Sequence, residues 1–271
     1  MSDFYCAILK GEMNVKTNCR IIAIANQKGG VGKTTTSICL AQELISRGNK
    51  VLFMDTDSQC NSTSYYEAKT EDEYTVMDML CDDEPAANCV QHLDKGDIIP
   101  SDKLLSDAEN VVKVDEKRFL HLKLSMMNII NDYDYVIIDT PPVIGVVLKN
   151  VLALSDYVVI PVEESGWALQ GLMEFSDAIN LAKLNNPTLQ VAGILTIKTK
   201  SRTKKANRIK DLADDIAFKL NSRTFNTRIR ESVKCQEALT EYYVTLQEYD
   251  PNGNTTLDYA EFTDELLEVI S

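Results

Sequence analysis

The sequence predicts an α/β protein with a doubly wound, mostly parallel sheet flanked by helices. Short apolar runs rich in Val and Ile alternate with stretches of helical periodicity. The runs are continuous rather than alternating with polar residues, which is typical of parallel strands covered on both faces. The right-handed crossover rule then places helices on both sides of the sheet.

The apolar runs predict strands at 21–25, 51–54, 97–100, 135–138, 157–160 and 191–197. Helical periodicity predicts a helix at 34–46, which Gly48 would terminate, and further helices near 115–131, 166–184 and 203–220. Residues 1–19 form an N-terminal extension before the first strand. We expect residues 20–271 to form the main domain.

Composition restricts the possible functions. The chain has 271 residues, of which 44% are hydrophobic, and it contains no run of eighteen apolar residues, so we expect no membrane span. Its seven cysteines include no C-x-x-C pair and suit reduced thiols in the cytoplasm. The net charge of -13 argues against a generic nucleic-acid binder.

The most informative motif is the glycine-rich segment 26–36, which follows a predicted strand and opens a predicted helix. In that setting backbone N–H groups can cradle a phosphate chain, so we expect a P-loop NTPase fold. Lys33 would reach the β- and γ-phosphates of ATP, and the Thr34 hydroxyl would ligate Mg²⁺. The predicted nucleotide-binding residues are Lys28, Gly29, Gly30, Val31, Gly32, Lys33, Thr34 and Thr35.

Carboxylates follow two of the predicted strands. Asp55 and Asp57 come directly after 51–54, and Asp139 ends the run 135–138 in the manner of a Walker B motif. Strand ends of a parallel sheet face the ligand crevice, so these carboxylates are expected near the phosphates. Asp139 would hold Mg²⁺.

The sequence K-G-G-V-G-K-T-T, which begins at Lys28, resembles the deviant Walker A motif of the ParA/MinD superfamily. From about residue 21 onwards the chain resembles the ParA family of DNA-partition ATPases. The resemblance implies that Lys28 reaches across a dimer to the partner's nucleotide. It also implies that Asp57 orients the attacking water and that Asp55 supports the Mg²⁺ shell. Catalytic roles therefore fall to Lys28, Lys33 and Asp57, and metal roles to Thr34, Asp55 and Asp139.

The chain departs from the family pattern in the loop after the second strand. Where the family has D-x-D-P-Q-G-N, this sequence has Ser58 in place of Pro and Cys60 in place of Gly. The carboxylates are intact. The substitutions affect the loop geometry, and with it the expected rate of hydrolysis.

A basic segment stands out in this acidic chain. Between 198 and 210 lie seven Lys or Arg residues and no acidic residue. Such a segment would neutralise DNA phosphates without reading sequence, although a solvated helix face is the alternative. The segment 229–238 resembles one that helps to bind DNA in ParA proteins, with Lys234 where the family usually has Arg. The predicted DNA-binding residues are Lys200, Arg202, Lys204, Lys205, Arg208, Arg230 and Lys234.

The resemblance implies a cytoplasmic, nucleoid-associated ATPase that uses ATP and Mg²⁺. It would dimerise on ATP, bind DNA nonspecifically, work with a ParB-like centromere-binding protein, and drive partition of plasmid, mobile-element or chromosomal DNA. Two alternatives stay open. One is a nucleotide-binding scaffold or adaptor with negligible turnover. The other is a MinD-like positioning ATPase, which the acidic segment 264–271 disfavours because anionic lipid would repel it.

A further pattern at 250–261 nearly fits an EF-hand calcium loop. Oxygen-bearing residues fall at the ligand positions, but Thr255 stands where the turn needs Gly. We therefore expect no calcium site there.

Overall fold

The sheet of this protein contains eight strands in the computed structural model, which describes residues 18–115, 118–163, 168–199 and 204–271 and leaves aside the side chains of 168–171 and 204–210. The strand order is β3-β4-β2-β5-β1-β6-β7-β8. The strands are β1 (Arg20–Ile24), β2 (Val51–Asp55), β3 (Gln91–Leu93), β4 (Gly96–Ile99), β5 (Tyr135–Asp139), β6 (Tyr157–Glu163), β7 (Gln190–Thr199) and β8 (Thr224–Arg230). The β3–β4 pair is antiparallel, and every other neighbouring pair is parallel.

The described helices connect these strands. They are α1 (Lys33–Ser46), α2 (Asn61–Tyr66), α3 (Val76–Cys81), α4 (Ala86–Cys89), α5 (Ala108–Val111), α6 (His121–Met126), α7 (Val146–Leu154), α8 (Ala168–Asn185), α9 (Lys204–Lys219), α10 (Val233–Thr240), α11 (Leu246–Tyr249) and α12 (Asn254–Ile270). Short 3-10 turns lie at Lys103–Asp107 and Ile130–Asp132. Within the described residues, no helix is both long and apolar enough to cross a bilayer.

Both faces of the sheet are covered, as the continuous apolar runs predict. On β1, Ile22 and Ile24 belong to one buried cluster, whereas Ile21 and Ala23 belong to the other. Side chains alternate along a strand, so a strand that is apolar at every position must bury both faces. The first cluster includes residues of α1, α10 and α12, and the second includes residues of α3, α7, α8 and α9.

The predicted strands and the predicted doubly wound sheet are confirmed, with small shifts of boundary. The helix expected near 115–131 is wrong in its extent, because the chain there forms only α6 and a 3-10 turn. Two strands were not predicted, the short edge strand β3 and the outer strand β8. The predicted extension lies almost entirely outside the described residues.

The chain positions three strand ends side by side. In the register of the sheet, Asp139 of β5 pairs with Ile24 of β1 on one side and with Asp55 of β2 on the other. The residues that follow β1, β2 and β5 therefore share one edge of the sheet. This is the edge where ligands bind in open parallel sheets.

Candidate functional site

The glycine-rich loop leaves the central strand β1 and enters α1. Gly30 and Gly32 have φ angles of 72° and 73°, in the left-handed region that favours glycine. The loop start is tied to β6, since Asn26 Nδ2 donates to the Pro161 carbonyl at 2.8 Å and Asn26 Oδ1 accepts from the Lys28 amide at 3.0 Å. The loop has the backbone geometry that a phosphate cradle requires.

Two lysines flank this loop. Lys33 is 6% exposed, its Nζ lies 3.4 Å from the Lys28 carbonyl, and burial lowers the pKa of its ammonium. The nearby carboxylates of Asp139 and Asp57 oppose that shift. Lys28 Nζ pairs with Glu163 Oε2 at 3.1 Å, and each side chain is about one third exposed. Lys33 therefore points into the site, while Lys28 lies at its rim.

Two buried carboxylates lie beside the loop on neighbouring strands. Asp139 accepts hydrogen bonds from Ser62 Oγ at 2.9 Å and Ser37 Oγ at 3.3 Å. Burial raises its pKa, and burial together with the charge of Asp139 raises the pKa of Asp55. Two carboxylates this close in a buried site favour a cation between or beside them.

The oxygens of Asp55 are occupied by its own chain. Oδ2 accepts from both the amide and the hydroxyl of Thr63 at 2.8 Å, and Oδ1 accepts from the Asp57 amide at 3.1 Å. These bonds fix the loop that carries Asp57. Asp55 thus stabilises the loop that carries Asp57, whereas Asp139 is the nearer of these two carboxylates to the phosphate loop.

The donor set suits Mg²⁺. The Thr34 hydroxyl at the start of α1 lies close enough to Asp139 to lower the pKa of that carboxyl, so a hydroxyl and a carboxylate share this part of the site. Among the described residues, no group of three or more His, Cys, Asp or Glu side chains could hold a metal by itself. Mg²⁺ at phosphate sites typically takes only one or two protein ligands and completes its shell with water and phosphate oxygens. The residues present therefore fit this ion.

The loop after β2 places Asp57 at the same edge. Asp57 Oδ1 accepts the Gln59 amide at 3.0 Å, and its carbonyl accepts Ser101 Oγ at 2.7 Å. Cys60 follows with a φ of 54°, in the left-handed region where the resemblance led us to expect glycine. The Cys60 substitution thus places a residue with a Cβ in a left-handed conformation, which strains the backbone of the loop.

A cavity of about 560 Å³ opens over the loop, within the usual range for small-molecule sites. One wall consists of predicted nucleotide and catalytic residues: Gly29, Gly30, Gly32, Lys33, Thr34, Thr35 and Asp57. The opposite wall comes from the end of β8, from α10 and from α12: Ile229, Arg230, Glu231, Ser232, Cys235, Gln236, Leu239, Thr240, Thr255 and Tyr259. Val31 is fully buried beneath the loop. The cavity can hold a nucleotide whose phosphates rest on the loop.

The sequence did not reveal this second wall. The resemblance implies a DNA-binding role for the segment 229–238, and several of its residues also line the cavity. Lys198, Ser37, Ser62 and Thr63 are further residues of the site that sequence reasoning missed. Ser37, Ser62 and Thr63 belong to no recognisable sequence motif. They enter the site only because the fold places them next to the carboxylates at the strand ends.

The predicted DNA-binding residues fall into two groups. Arg230 pairs with Asp258 of α12 through Nε at 2.9 Å, and Lys234 Nζ pairs with Asp250 Oδ1 at 3.0 Å. Their side chains are 47% and 60% exposed. The others, Lys200, Arg202, Lys204, Lys205 and Arg208, lie outside the residues whose side chains are described.

The near-EF-hand pattern forms no calcium loop. Its second half, from Asn254, is helix α12, and Asp250 and Asp258 face Lys234 and Arg230. A helix cannot wrap a cation as a twelve-residue loop does.

Comparison with known proteins identifies relatives over most of the chain. A family profile described as AAA domain matches residues 19–191. The chain is 34% identical to the sporulation initiation inhibitor protein Soj of Bacillus subtilis, over 81% of this chain and 87% of that protein. It is 33% identical to the chromosome partitioning protein ParA of Myxococcus xanthus, over 84% and 81% of the two chains.

Solved structures show the same fold with nucleotide. Cyanothece McdA in complex with ATP superposes with a TM-score of 0.80 at 26% identity, covering 93% of this chain and 98% of that one. Cobyrinic acid a,c-diamide synthase of Mycobacterium smegmatis, with a bound ATP analogue and magnesium, superposes with a TM-score of 0.77 at 29% identity, covering 92% and 94%.

The chain therefore belongs to the ParA family, within the ParA/MinD group of P-loop NTPases.

Proposed function

We propose that this ParA-family chain is a Mg²⁺-dependent ATPase that dimerises on ATP, binds DNA nonspecifically and drives partition of plasmid, mobile-element or chromosomal DNA. A ParB-like centromere-binding protein would stimulate it, and it would work in the cytoplasm on the nucleoid. The acting unit would be residues 20–271. The cofactors would be ATP and Mg²⁺. The McdA structure contains ATP, and the synthase structure contains an ATP analogue and magnesium.

The observation that carries the proposal is the meeting of Lys33, Asp57 and Asp139 at one cavity edge. Lys33 and Asp57 both line the cavity, and Asp139 and Asp57 both act electrostatically on the Lys33 ammonium. Lys33 would bind the β- and γ-phosphate oxygens, and Thr34 and Asp139 would hold Mg²⁺. When bound, Mg²⁺ neutralises charge on the phosphates.

Asp57 would orient the attacking water. Its carboxylate lies on a loop that Asp55, Thr63 and Ser101 hold by hydrogen bonds to backbone and side chain. Positioning of a nucleophile is most of what a protein contributes to phosphoryl transfer, and it needs a loop held in place. The rigid support of Asp57 favours hydrolysis over mere binding.

Lys28 would act in the ATP dimer. It lies at the rim of the site rather than inside it, where its ammonium contacts Glu163 of β6, and in a dimer it would exchange that contact for one with the partner's nucleotide. A second cation at the γ-phosphate would stabilise the charge of the transition state.

A scaffold with negligible turnover is the second candidate. The observation that favours it is the left-handed backbone at Cys60, three residues after Asp57. A strained loop could hold Asp57 away from the water it must orient. A measurement of ATP turnover distinguishes the scaffold from the ATPase. The third candidate, a MinD-like positioning ATPase, gains no support from the acidic end of α12.

The DNA part of the proposal is tested with the basic segment. We expect wild type with a non-hydrolysable ATP analogue to bind labelled duplex DNA. A variant with Lys204, Lys205 and Arg208 all changed to Glu should bind at least about tenfold more weakly, because phosphate contacts supply nonspecific affinity. A matched control changes Lys50, Lys69 and Lys113, which are exposed elsewhere, to Glu. Equal DNA affinity of the two variants would contradict the assignment.

A further inference from the structure

The end of β7 touches the phosphate loop through two consecutive residues. Lys198 Nζ donates a hydrogen bond to the Gly30 carbonyl at 2.6 Å. Ile197 packs against Gly32 so closely that a Cβ on that glycine would lie 2.8 Å from Ile197 Cδ1. Both residues also line the large cavity. The strand that lies beyond β6 in the sheet thus also contacts the loop.

The backbone at this point is unusual. Lys198 has a φ of 53°, a left-handed conformation that a lysine rarely adopts, and the β7–β8 pairing shifts register between Thr196 and Thr199. In a regular strand, neighbouring side chains point to opposite faces. Irregularities of this kind next to binding sites commonly re-aim a side chain. Here the irregularity lets Lys198 reach the same loop as Ile197.

The loop needs such a tie because it consists mainly of glycine. Asn26 and Lys28 fix its beginning to β6, and α1 fixes its end. Gly30 lies between them with a left-handed backbone and no side chain of its own. The bond from Lys198 has a charged donor, and bonds of this kind are stronger than neutral ones. It holds the middle of the loop in the conformation that presents N–H groups to phosphate.

We propose that Lys198 is a positioning residue of the phosphate loop, whose hydrogen bond to the Gly30 carbonyl supports the affinity of the loop for nucleotide. The proposal rests on the proposed function, since it takes the cavity as the nucleotide site. Nothing in the resemblance to ParA proteins assigned a role to this lysine.

The experiment that tests this role measures the Kd of a fluorescent non-hydrolysable ATP analogue with Mg²⁺. We expect Lys198→Met to bind the analogue about 3- to 10-fold more weakly than wild type, because the variant loses one hydrogen bond to the loop at a partly exposed position. Lys198→Arg should stay within about twofold, since it keeps a charged donor. Lys219→Met, which removes the same charge from the exposed end of α9, should match wild type.

The outcomes separate this proposal from the proposed function. Wild-type nucleotide affinity in Lys198→Met overturns the role of Lys198, and so does an equal loss of affinity in Lys198→Arg. A wild type that binds the analogue no better than Lys33→Ala instead overturns the nucleotide site of the proposed function, and the role of Lys198 falls with it.

Discussion

Cys60 lies in a conformation that suits glycine better than cysteine. Its φ is 54°, and its Sγ donates only a weak bond to the Ser58 carbonyl at 3.4 Å. A left-handed residue with a Cβ costs about 1–2 kcal/mol, part of which the entropy of glycine in the unfolded chain offsets.

We therefore predict that Cys60→Gly raises the free energy of unfolding by about 0.5–1 kcal/mol. The control is Cys60→Ala, which removes the thiol but keeps the Cβ. Chemical denaturation of both variants measures the difference. Equal stability of the Gly and Ala variants would show that the backbone there is not strained.

Thr63 is the main partner of the buried Asp55. Its hydroxyl donates to Asp55 Oδ2 at 2.8 Å and accepts the Ser101 amide at 2.9 Å. Replacing it by Val keeps the shape but leaves a buried carboxylate and a buried amide each short of one bond. We predict a loss of about 1–3 kcal/mol of unfolding free energy.

The control for this change is Thr63→Ser, which retains the hydroxyl and should lose less than half as much. Thermal unfolding gives the answer, since about 1 kcal/mol corresponds to about 2–4 °C in a chain of this size. A Val variant as stable as the Ser variant would mean that Asp55 does not depend on the hydroxyl.

Lys28 tests whether two chains share one site. We predict that Lys28→Ala binds ATP as wild type does but turns it over about 10³-fold more slowly, as when an arginine finger is lost. Asp57→Ala should also be inactive, because it cannot orient the attacking water. An equal mixture should regain about a quarter of wild-type turnover, because one site in each mixed dimer then has both groups.

The mixing experiment contains its own control, since each variant alone stays inactive. Steady-state phosphate release measures it. If the mixture stays as inactive as its components while both variants still bind ATP, then Lys28 acts within its own chain.

At the scale of single elements, the outer strand β8 depends on close packing against β7. Gly193 has no room for a side chain, because an added Cβ would lie 2.4 Å from Phe225 Cε2. Phe225 in turn packs edge-on against Phe262 of α12, with ring centroids 5.1 Å apart. The glycine lets β8 and the last helix approach the sheet.

We predict that Gly193→Ala lowers the unfolding free energy by about 1–3 kcal/mol through overpacking. A second change, Phe225→Leu, should cost less in the Gly193→Ala background than in wild type, because it relieves the collision. A double-mutant cycle in urea measures this coupling. Additive effects of the two changes would contradict it.

An element of the fold was predictable where its own residues show which of its faces are buried. The inner strands are apolar at almost every position, so their type was clear from the sequence. β8 reads TFNTRIR, with a burial pattern that alternates, and its buried face is created by α12 some thirty residues later. The short helices between β2 and β4 are set by tertiary contacts, which a local pattern does not contain.

On the scale of the whole molecule, the site exists because the sheet order brings distant strand ends together. The glycine loop and the three aspartates were predictable, since each directly follows an apolar run. The second wall of the cavity and the lysine at the end of β7 were not, because only the β6–β7–β8 order and a register shift place them there. The basic segment 198–210, by contrast, was visible in the sequence even though the net charge is -13.

The central claim is that this site hydrolyses ATP with Asp57 as the water-positioning residue. The most direct measurement is steady-state phosphate release with Mg²⁺, with and without nonspecific duplex DNA, for wild type and Asp57→Ala, alongside ATP binding by both. We predict slow wild-type turnover that DNA stimulates and that the variant lacks, with ATP affinity retained. Turnover in Asp57→Ala equal to wild type, or ATP binding by wild type without turnover in either condition, would contradict the claim.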